Sequence, residues 1–289
     1  MPTPNALLQQ VQEVTRRALA SGALAPIATQ TRTVREGGID FELRYIDALS
    51  KKDVERARLG DRPAGKTGAH NPFLPYEPEL FVADANPGHV ILLNKFPVIA
   101  NHILLITREF VDQEAVVAPG DCVALARLMA VMDGVLFFNG GRTGGGSQPH
   151  RHFQLIPGTL PIEAALPRDT MDSPQQLPQL RFRHAFMPYR FDPERDPVLS
   201  GADLFESFQR CCAAVDVVEH SGKLSPYNLL MTREWLMVIP RTRECWEHEG
   251  RKISINALGF GGCLLVRSPE LIDVVESAGV FSILRSVTE

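Results

Sequence analysis

Two polar signals stand side by side in the stretch GRTGGGSQPHRHFQLIP, residues 141–157. One is a glycine run that ends at Ser147, and the other is the pair His150 and His152, followed by Gln154. Side chains alternate between the two faces of a strand, so these three polar side chains share one face of the predicted strand HRHFQLI. Polar groups enter a dry core only with hydrogen-bond partners. The pattern therefore predicts a functional site.

Nucleophilic catalysis is the chemistry that this pattern favours. A neutral imidazole attacks phosphorus readily at pH 7, and histidine forms covalent intermediates. Glycines let backbone N–H groups approach a phosphate closely, and such donors suit the charge of a transferring phosphoryl group. Zinc is the less favoured alternative, because the only nearby carboxylates, Glu163 and Asp169, lie in a proline-rich segment at no familiar ligand spacing. We therefore expect no metal site.

A second motif, GDRPAGKT at residues 60–67, has the spelling of a P-loop. A P-loop needs a buried strand before it and a helix after it, whose first amides bind phosphate. Here a charged segment precedes the motif and three prolines follow it. We interpret it as a surface loop, from which Lys66 could still approach a ligand.

Composition excludes several classes of protein. The chain has 289 residues, a net charge of −4 and a pI near 6.1, which argues against nucleic-acid binding. It has no apolar run of about 18 residues and no signal-peptide core, so neither a membrane span nor secretion is expected. The five cysteines contain no C-x-x-C pair. This pattern indicates a protein of the reducing cytoplasm.

The chain divides into three predicted parts. Residues 1–160 form an N-terminal catalytic region with the H-x-H-x-Q strand, residues 161–180 a proline-rich linker, and residues 181–289 a C-terminal region. An amphipathic helix is predicted at the N-terminus, a helix from Asp121, and a helix near residues 201–220. LLITREF at residues 104–110 echoes LLMTREW at residues 229–235. Chance and an ancient duplication both account for the echo.

The chain resembles the diadenosine tetraphosphate phosphorylases, also called ATP adenylyltransferases, of the histidine-triad superfamily. The resemblance rests on SQPHRHFQLIP and on LRYIDALSKKD, NPF, LLNKFPVIANHILLITREF, FFNGGRTGGGSQPH and YNLLMTREWLMVIPR, which follow in the family's order. It implies an α+β fold with an antiparallel sheet and flanking helices, with a duplicated architecture like that of galactose-1-phosphate uridylyltransferase as an open possibility. It also implies cleavage of diadenosine tetraphosphate by phosphate to ADP and ATP, through an adenylyl-histidine.

The same resemblance implies roles for individual residues. His152 aligns with the nucleophile, His150 with a histidine that orients it, and Gln154 with a glutamine that contacts the reacting phosphate. The C-terminal region is expected to complete the nucleotide site. The implied substrate contacts are Lys52 (or the adjacent Lys51), Asn94, Lys95, Asn139, Gly144, Gly145, Gly146, Ser147, Met231, Thr232, Met237 and Arg241. Met231 and Met237 are also typical core residues, and Arg241 could equally face solvent.

The resemblance implies no tightly bound cofactor, although a divalent cation such as Mg²⁺ could accompany the polyphosphate. The implied partners are small nucleotides and phosphate, with neither nucleic acid nor membrane. Three other functions stay open: a histidine-triad hydrolase, a nucleotide-sugar uridylyltransferase and a binding module without turnover. Gln154 disfavours the hydrolase, because hydrolase branches usually carry a third histidine at that position. An intact His152 disfavours the binding module.

Overall fold

The computed structural model describes residues 4–46, 71–167 and 171–289. The helices are α1 (Pro4–Ser21), α2 (Pro119–Val131), α3 (Pro197–Ala214), α4 (Ala257–Phe260), α5 (Glu270–Ala278) and α6 (Val280–Ser286). The strands are β1 (Thr29–Glu36), β2 (Ile39–Ile46), β3 (Phe81–Asn86), β4 (His89–Leu93), β5 (Ile103–Thr107), β6 (Val135–Gly140), β7 (His152–Ile156), β8 (Ala185–Pro188), β9 (Glu219–His220), β10 (Lys223–Leu224), β11 (Tyr227–Met231), β12 (Trp235–Pro240), β13 (Cys245–His248), β14 (Arg251–Ser254) and β15 (Cys263–Val266).

An eight-stranded antiparallel sheet organises the protein, in the order β3-β4-β5-β7-β6-β11-β12-β8. The N-terminal part of the chain supplies the first five strands in that order and the C-terminal part supplies the last three. The two parts meet where β6 pairs with β11 over five residues, Leu136–Gly140. A smaller sheet joins β1, β2 and β15, with β15 parallel to β2. The predicted α+β class with an antiparallel sheet and flanking helices is confirmed.

Three helices cover one face of the large sheet. In α1, Leu7, Val11, Val14 and Ala18 recur every three or four residues and are all buried. The helices α2 and α3 join the same core through Leu125 and through Leu204 with Phe208. The opposite face carries two separate apolar clusters, and a polar strip that contains His152 and Gln154 lies between them.

Those two clusters define the surroundings of the polar strip. The larger packs β2, α4 and α6 against residues of β6 and β12, and Phe137 belongs to it. The smaller holds Phe73 and residues of β4 and β5, including Leu104 and Ile106. Cross-strand partners point to the same face of a sheet. Because His152 is opposite Ile106 and Gln154 is opposite both Leu104 and Phe137, the two polar side chains lie between the clusters.

The other face of β7 shows the predicted alternation. Arg151 is buried on the helix side, where its Nη1 lies 2.5 Å from Asp121 Oδ2. Asp121 also contacts His89, at 2.9 Å, and accepts a hydrogen bond from the Ala118 N–H at the start of α2. The Arg151–Asp121 ion pair therefore ties the strand of the histidines to the beginning of a helix.

Several predicted boundaries differ from the structure. The helix expected from Asp121 begins at Pro119, since proline fits the first turn of a helix. The helix expected at residues 201–220 spans Pro197–Ala214, with Asp196 accepting hydrogen bonds from the Val198 and Leu199 N–H groups. The predicted linker contains a short 3₁₀ helix, Pro161–Ala165. The three-part division of the chain stays a prediction.

Of the helices that the structure describes, none combines the length and the apolar character needed to cross a bilayer.

Candidate active site

His152 stands at the first position of β7 with its ring held in one tautomer. Its Nδ1 lies 2.7 Å from the carbonyl oxygen of His150. A carbonyl only accepts hydrogen bonds, so Nδ1 carries the proton and Nε2 keeps its lone pair. Burial lowers the pKa of His152 to about 4, and the ring is therefore neutral at pH 7. A neutral imidazole with a free Nε2 is the form that attacks phosphorus.

His150 supports this arrangement through its backbone, whereas both nitrogens of its ring are hydrogen-bonded to other groups. The Nδ1 atom accepts from the Asn71 amide at 2.9 Å, and Nε2 donates to the carbonyl of Thr107 at 2.8 Å. Burial lowers the pKa of His150 as well. The contact between His150 and His152 is thus made by the carbonyl of His150.

Gln154 is held by a histidine that the sequence analysis did not identify. Its Oε1 lies 3.0 Å from Nε2 of His102, whose Nδ1 lies 3.0 Å from the amide nitrogen of Asn94. Asn94 is oriented in turn by the N–H of Phe96, which donates to its Oδ1 at 3.2 Å. Burial lowers the pKa of His102 to about 4, so its neutral ring donates through Nε2. The NH₂ of Gln154 is therefore left as a donor toward the site.

Two of the residues expected to contact substrate have partners within the protein. The side chain of Asn94 supports Gln154 through His102, which makes it a positioning residue. Lys95 forms an ion pair with Glu77, with 2.6 Å between Nζ and Oε1. Through these contacts, neither Asn94 nor Lys95 is bonded directly to His152. Direct substrate contact by Asn94 and Lys95 stays a prediction.

The glycine loop owes its glycines to tight packing. A Cβ at Gly144 would lie 2.8 Å from the carbonyl oxygens of Gly140 and Tyr227, and Gly145 has a φ of +85°. The N–H groups of Gly145 and Gly146 donate to carbonyls within the loop, each at 2.9 Å. These two N–H groups are therefore occupied in the structure. Ser147 is exposed, and the role of the loop as a phosphate cradle stays a prediction.

A buried polar network anchors the loop and includes two of the residues expected to contact substrate. The Asn228 amide donates to Asn139 Oδ1 at 2.9 Å and to the Gly144 carbonyl at 2.7 Å. Asn139 Oδ1 also accepts from the Ala257 N–H, so it is structural. Arg241 donates from its five N–H groups to Asn228 Oδ1 and to four backbone carbonyls. All five donors of Arg241 thus have partners within the protein, and its contact with substrate stays a prediction.

The remaining C-terminal residues expected to contact substrate are in the cores or in a turn. Met231 and Met237 are fully buried in the two large cores. Thr232 lies in the turn between β11 and β12, where its Oγ1 accepts from the Glu234 N–H. Strand pairing puts this turn at the end of the sheet opposite to His152, because Met231 is opposite Leu136. Sequence spacing showed these residues to be on strands, but it did not show which end of the sheet they occupy.

Some predicted residues cannot be placed. Lys51, Lys52, the P-loop-like motif at residues 60–67 and Asp169 lie outside the described residues. Glu163, the other carboxylate considered for zinc, accepts from the Leu160 N–H at 2.8 Å. Within residues 4–46, 71–167 and 171–289, no group of three or more His, Cys, Asp or Glu side chains is arranged to hold a metal ion.

His152 and Gln154 on a central strand of an antiparallel sheet, with His150 just before it, agree with the pattern by which the sequence resembles the histidine-triad superfamily. A family model for the Ap4A phosphorylase N-terminal domain matches residues 1–171. A second model, for the ATP adenylyltransferase C-terminal domain, matches residues 178–288. The first alone covers more than half of the chain, and the protein belongs to the Ap4A phosphorylase family.

Two yeast relatives and one solved yeast structure are similar over most of the chain. Protein APA1 of Saccharomyces cerevisiae is 25% identical over 299 residues, covering 95% of this chain and 91% of its own. Diadenosine 5',5'''-P1,P4-tetraphosphate phosphorylase 2 of the same yeast is 28% identical over 232 residues, covering 71% of each chain. Yeast Ap4A phosphorylase Apa2 has a similar fold, with a TM-score of 0.77, 22% identity, and coverage of 98% of this chain and 97% of its own.

The state of the His152 ring is directly measurable. We expect His152 to remain the neutral, Nδ1-protonated tautomer down to about pH 5.5, because its pKa of about 4 lies well below the ordinary 6.5. The unfolded chain takes up this proton first, so the contribution to stability is present above pH 6.5 and is lost as the pH falls toward 4. An NMR titration of the ring nitrogens, with His152→Gln to identify the signals, checks both statements. A titration midpoint near 6.5, or a proton on Nε2, contradicts them.

Proposed function

We propose that the protein cleaves diadenosine tetraphosphate with inorganic phosphate to give ADP and ATP, reversibly, through an adenylyl group on His152. One observation carries the proposal: a buried, neutral His152 whose Nδ1–H is bound by the His150 carbonyl and whose Nε2 has no hydrogen-bond partner among the described residues. Membership of the family supports it, as do the yeast relatives, one of which bears the name of a diadenosine tetraphosphate phosphorylase.

In the first step, Nε2 of His152 attacks the α-phosphorus of the substrate. The bond from that phosphorus to its bridging oxygen breaks, and ATP leaves while the adenylyl group stays on nitrogen. The ring becomes cationic as the P–N bond forms, and the carbonyl of His150 accepts from the Nδ1–H where this charge develops. ATP leaves as a stabilised polyphosphate anion, so little proton transfer to the leaving group is needed.

In the second step, an oxygen of inorganic phosphate attacks the adenylyl phosphorus. The P–N bond breaks, ADP forms and His152 returns to its neutral state. The NH₂ of Gln154, directed by His102, is suited to donate to a non-bridging oxygen in both steps. A divalent cation such as Mg²⁺ would accompany the polyphosphate and reduce its charge. The substrates are thus small nucleotides and phosphate.

Product analysis tests the proposal. Incubation with diadenosine tetraphosphate should yield ADP, and ATP beyond one equivalent per protein, only when phosphate is present, as measured by chromatography. His152→Ala should lower turnover by at least about 100-fold, because removing a covalent nucleophile costs far more than removing a binding contact. His184→Ala is a matched control, since His184 is a buried histidine with a pKa of about 4 whose ring contacts lie elsewhere. Activity retained in folded His152→Ala contradicts the mechanism.

Gln154 is proposed to decide between phosphate and water. An amide has no basic nitrogen, so it gives an attacking water no help with its proton, whereas phosphate already arrives as an oxyanion. An imidazole at this position could accept that proton. Gln154→His should therefore raise the ratio of AMP to ADP among the products at a fixed phosphate concentration. An unchanged ratio in a folded and active variant would refute this role.

A further inference from the structure

The pairing of β6 with β7 stops just before it reaches the nucleophile. Val135, Leu136 and Phe137 pair with Ile156, Leu155 and Gln154, and the ladder ends there. Continued in the same register, the ladder would place Asn139 opposite His152. In an antiparallel ladder, every second pair of facing residues exchanges two N–H···O bonds. Between His152 and Asn139, hydrogen bonds to a side chain stand in place of this direct exchange.

The replacement is the side-chain amide of Gln113, a fully buried residue of the segment between β5 and α2. Its Oε1 accepts from the N–H of His152 at 2.9 Å. Its Nε2 donates to the carbonyl of Asn139 at 2.9 Å and lies 3.4 Å from the carbonyl of His152. The amide thus takes the place of one ladder bond and holds the two strands apart by its own width.

The backbone around Gln113 fixes this amide in place. The Gln113 N–H donates to the Pro149 carbonyl at 2.7 Å, and the Arg151 N–H donates to the Val111 carbonyl at 2.8 Å. A bridge between Asp112 and His150 completes this short antiparallel pairing. Residues 111–113 therefore run beside residues 149–151 in the place that β6 has left.

We propose that Gln113 is a positioning residue for the adenylyl transfer, setting the distance between His152 and the root of the glycine loop. The inference rests on the proposed function and deepens it. Asn139 is the last residue before the glycine-rich segment 140–146, and His152 is the nucleophile, so one amide links the two halves of the site. If the amide is lost, we expect β6 and β7 to pair directly and to move His152 relative to the bound α-phosphate. Displacement of a reacting group by about 1 Å costs on the order of 100-fold in rate.

The test separates chemistry from binding in the full-length protein. Gln113→Met keeps a side chain of similar length and removes both hydrogen-bonding ends. We expect the single-turnover rate of ATP release from diadenosine tetraphosphate, measured without phosphate, to fall by about 100-fold. The affinity for AMP, measured by calorimetry, should change by less than about threefold. A purely structural residue would lower thermal stability without changing the rate per folded molecule.

Gln176→Met is the matched control. Gln176 makes the same pair of contacts at a different place: its Nε2 donates to the Phe182 carbonyl at 2.8 Å and its Oε1 accepts from the His184 N–H at 2.9 Å. This control should leave the single-turnover rate unchanged. If Gln113→Met does not fold, Gln113→Glu is tested in its place. This variant keeps an oxygen for the His152 N–H and loses the donor to Asn139. We again expect a lower single-turnover rate with a nearly unchanged affinity for AMP.

The possible outcomes distinguish this inference from the proposed function. If wild-type protein releases no ATP and forms no adenylyl-histidine, the proposed function fails. If wild-type protein reacts and folded Gln113 variants react as fast, the positioning role is overturned. It is also overturned if AMP affinity falls in parallel with the rate. A crystal structure of Gln113→Ala, which removes the side chain from the gap, should show a direct bond from the His152 N–H to the Asn139 carbonyl, and unchanged strand separation would contradict the inference.

Discussion

The chemistry of this site depends on one hydrogen bond, from Nδ1 of His152 to the carbonyl of His150, made within a buried strand. The bond determines which ring nitrogen is protonated, and burial determines that the ring is neutral. Either condition alone would be insufficient. A ring with the proton on Nε2 would have no lone pair toward the substrate, and a protonated ring would have none at all. The fold must therefore bury His152 while leaving one face of it open to a phosphate.

Burying so many polar groups near one strand requires that each has a partner. On the site face, the Asn94 amide donates to His102 and His102 donates to Gln154, which leaves the NH₂ of Gln154 for the substrate. On the helix face, Arg151 pairs with Asp121. A lost partner would leave a buried group unsatisfied, which costs more than a typical hydrogen bond contributes. Polar networks on both faces of β7 thus make the strand rigid where precision is needed.

Local pattern was sufficient to predict which side chains of the candidate site share a face. Alternation along HRHFQLI identified the shared face of His152 and Gln154 and the opposite direction of Arg151. Supporting residues could not be predicted, because His102 and Gln113 reach the site only through pairings that join distant parts of the chain. Arg241 shows the same limit. The resemblance implied a substrate contact, whereas in the structure its side chain donates to a buried asparagine and four carbonyls. A basic residue near a strand end does not reveal its partners until the tertiary structure is known.

The central claim is that the adenylyl group resides on His152 during turnover. The most direct test is mass spectrometry of the protein mixed with diadenosine tetraphosphate in the absence of phosphate, followed by peptide mapping under conditions that preserve phosphoramidates. The account predicts a mass increase of one adenylyl group, located on His152, that disappears with formation of ADP when phosphate is added. An adenylyl group on another residue, or ADP formation without any covalent intermediate, would contradict it.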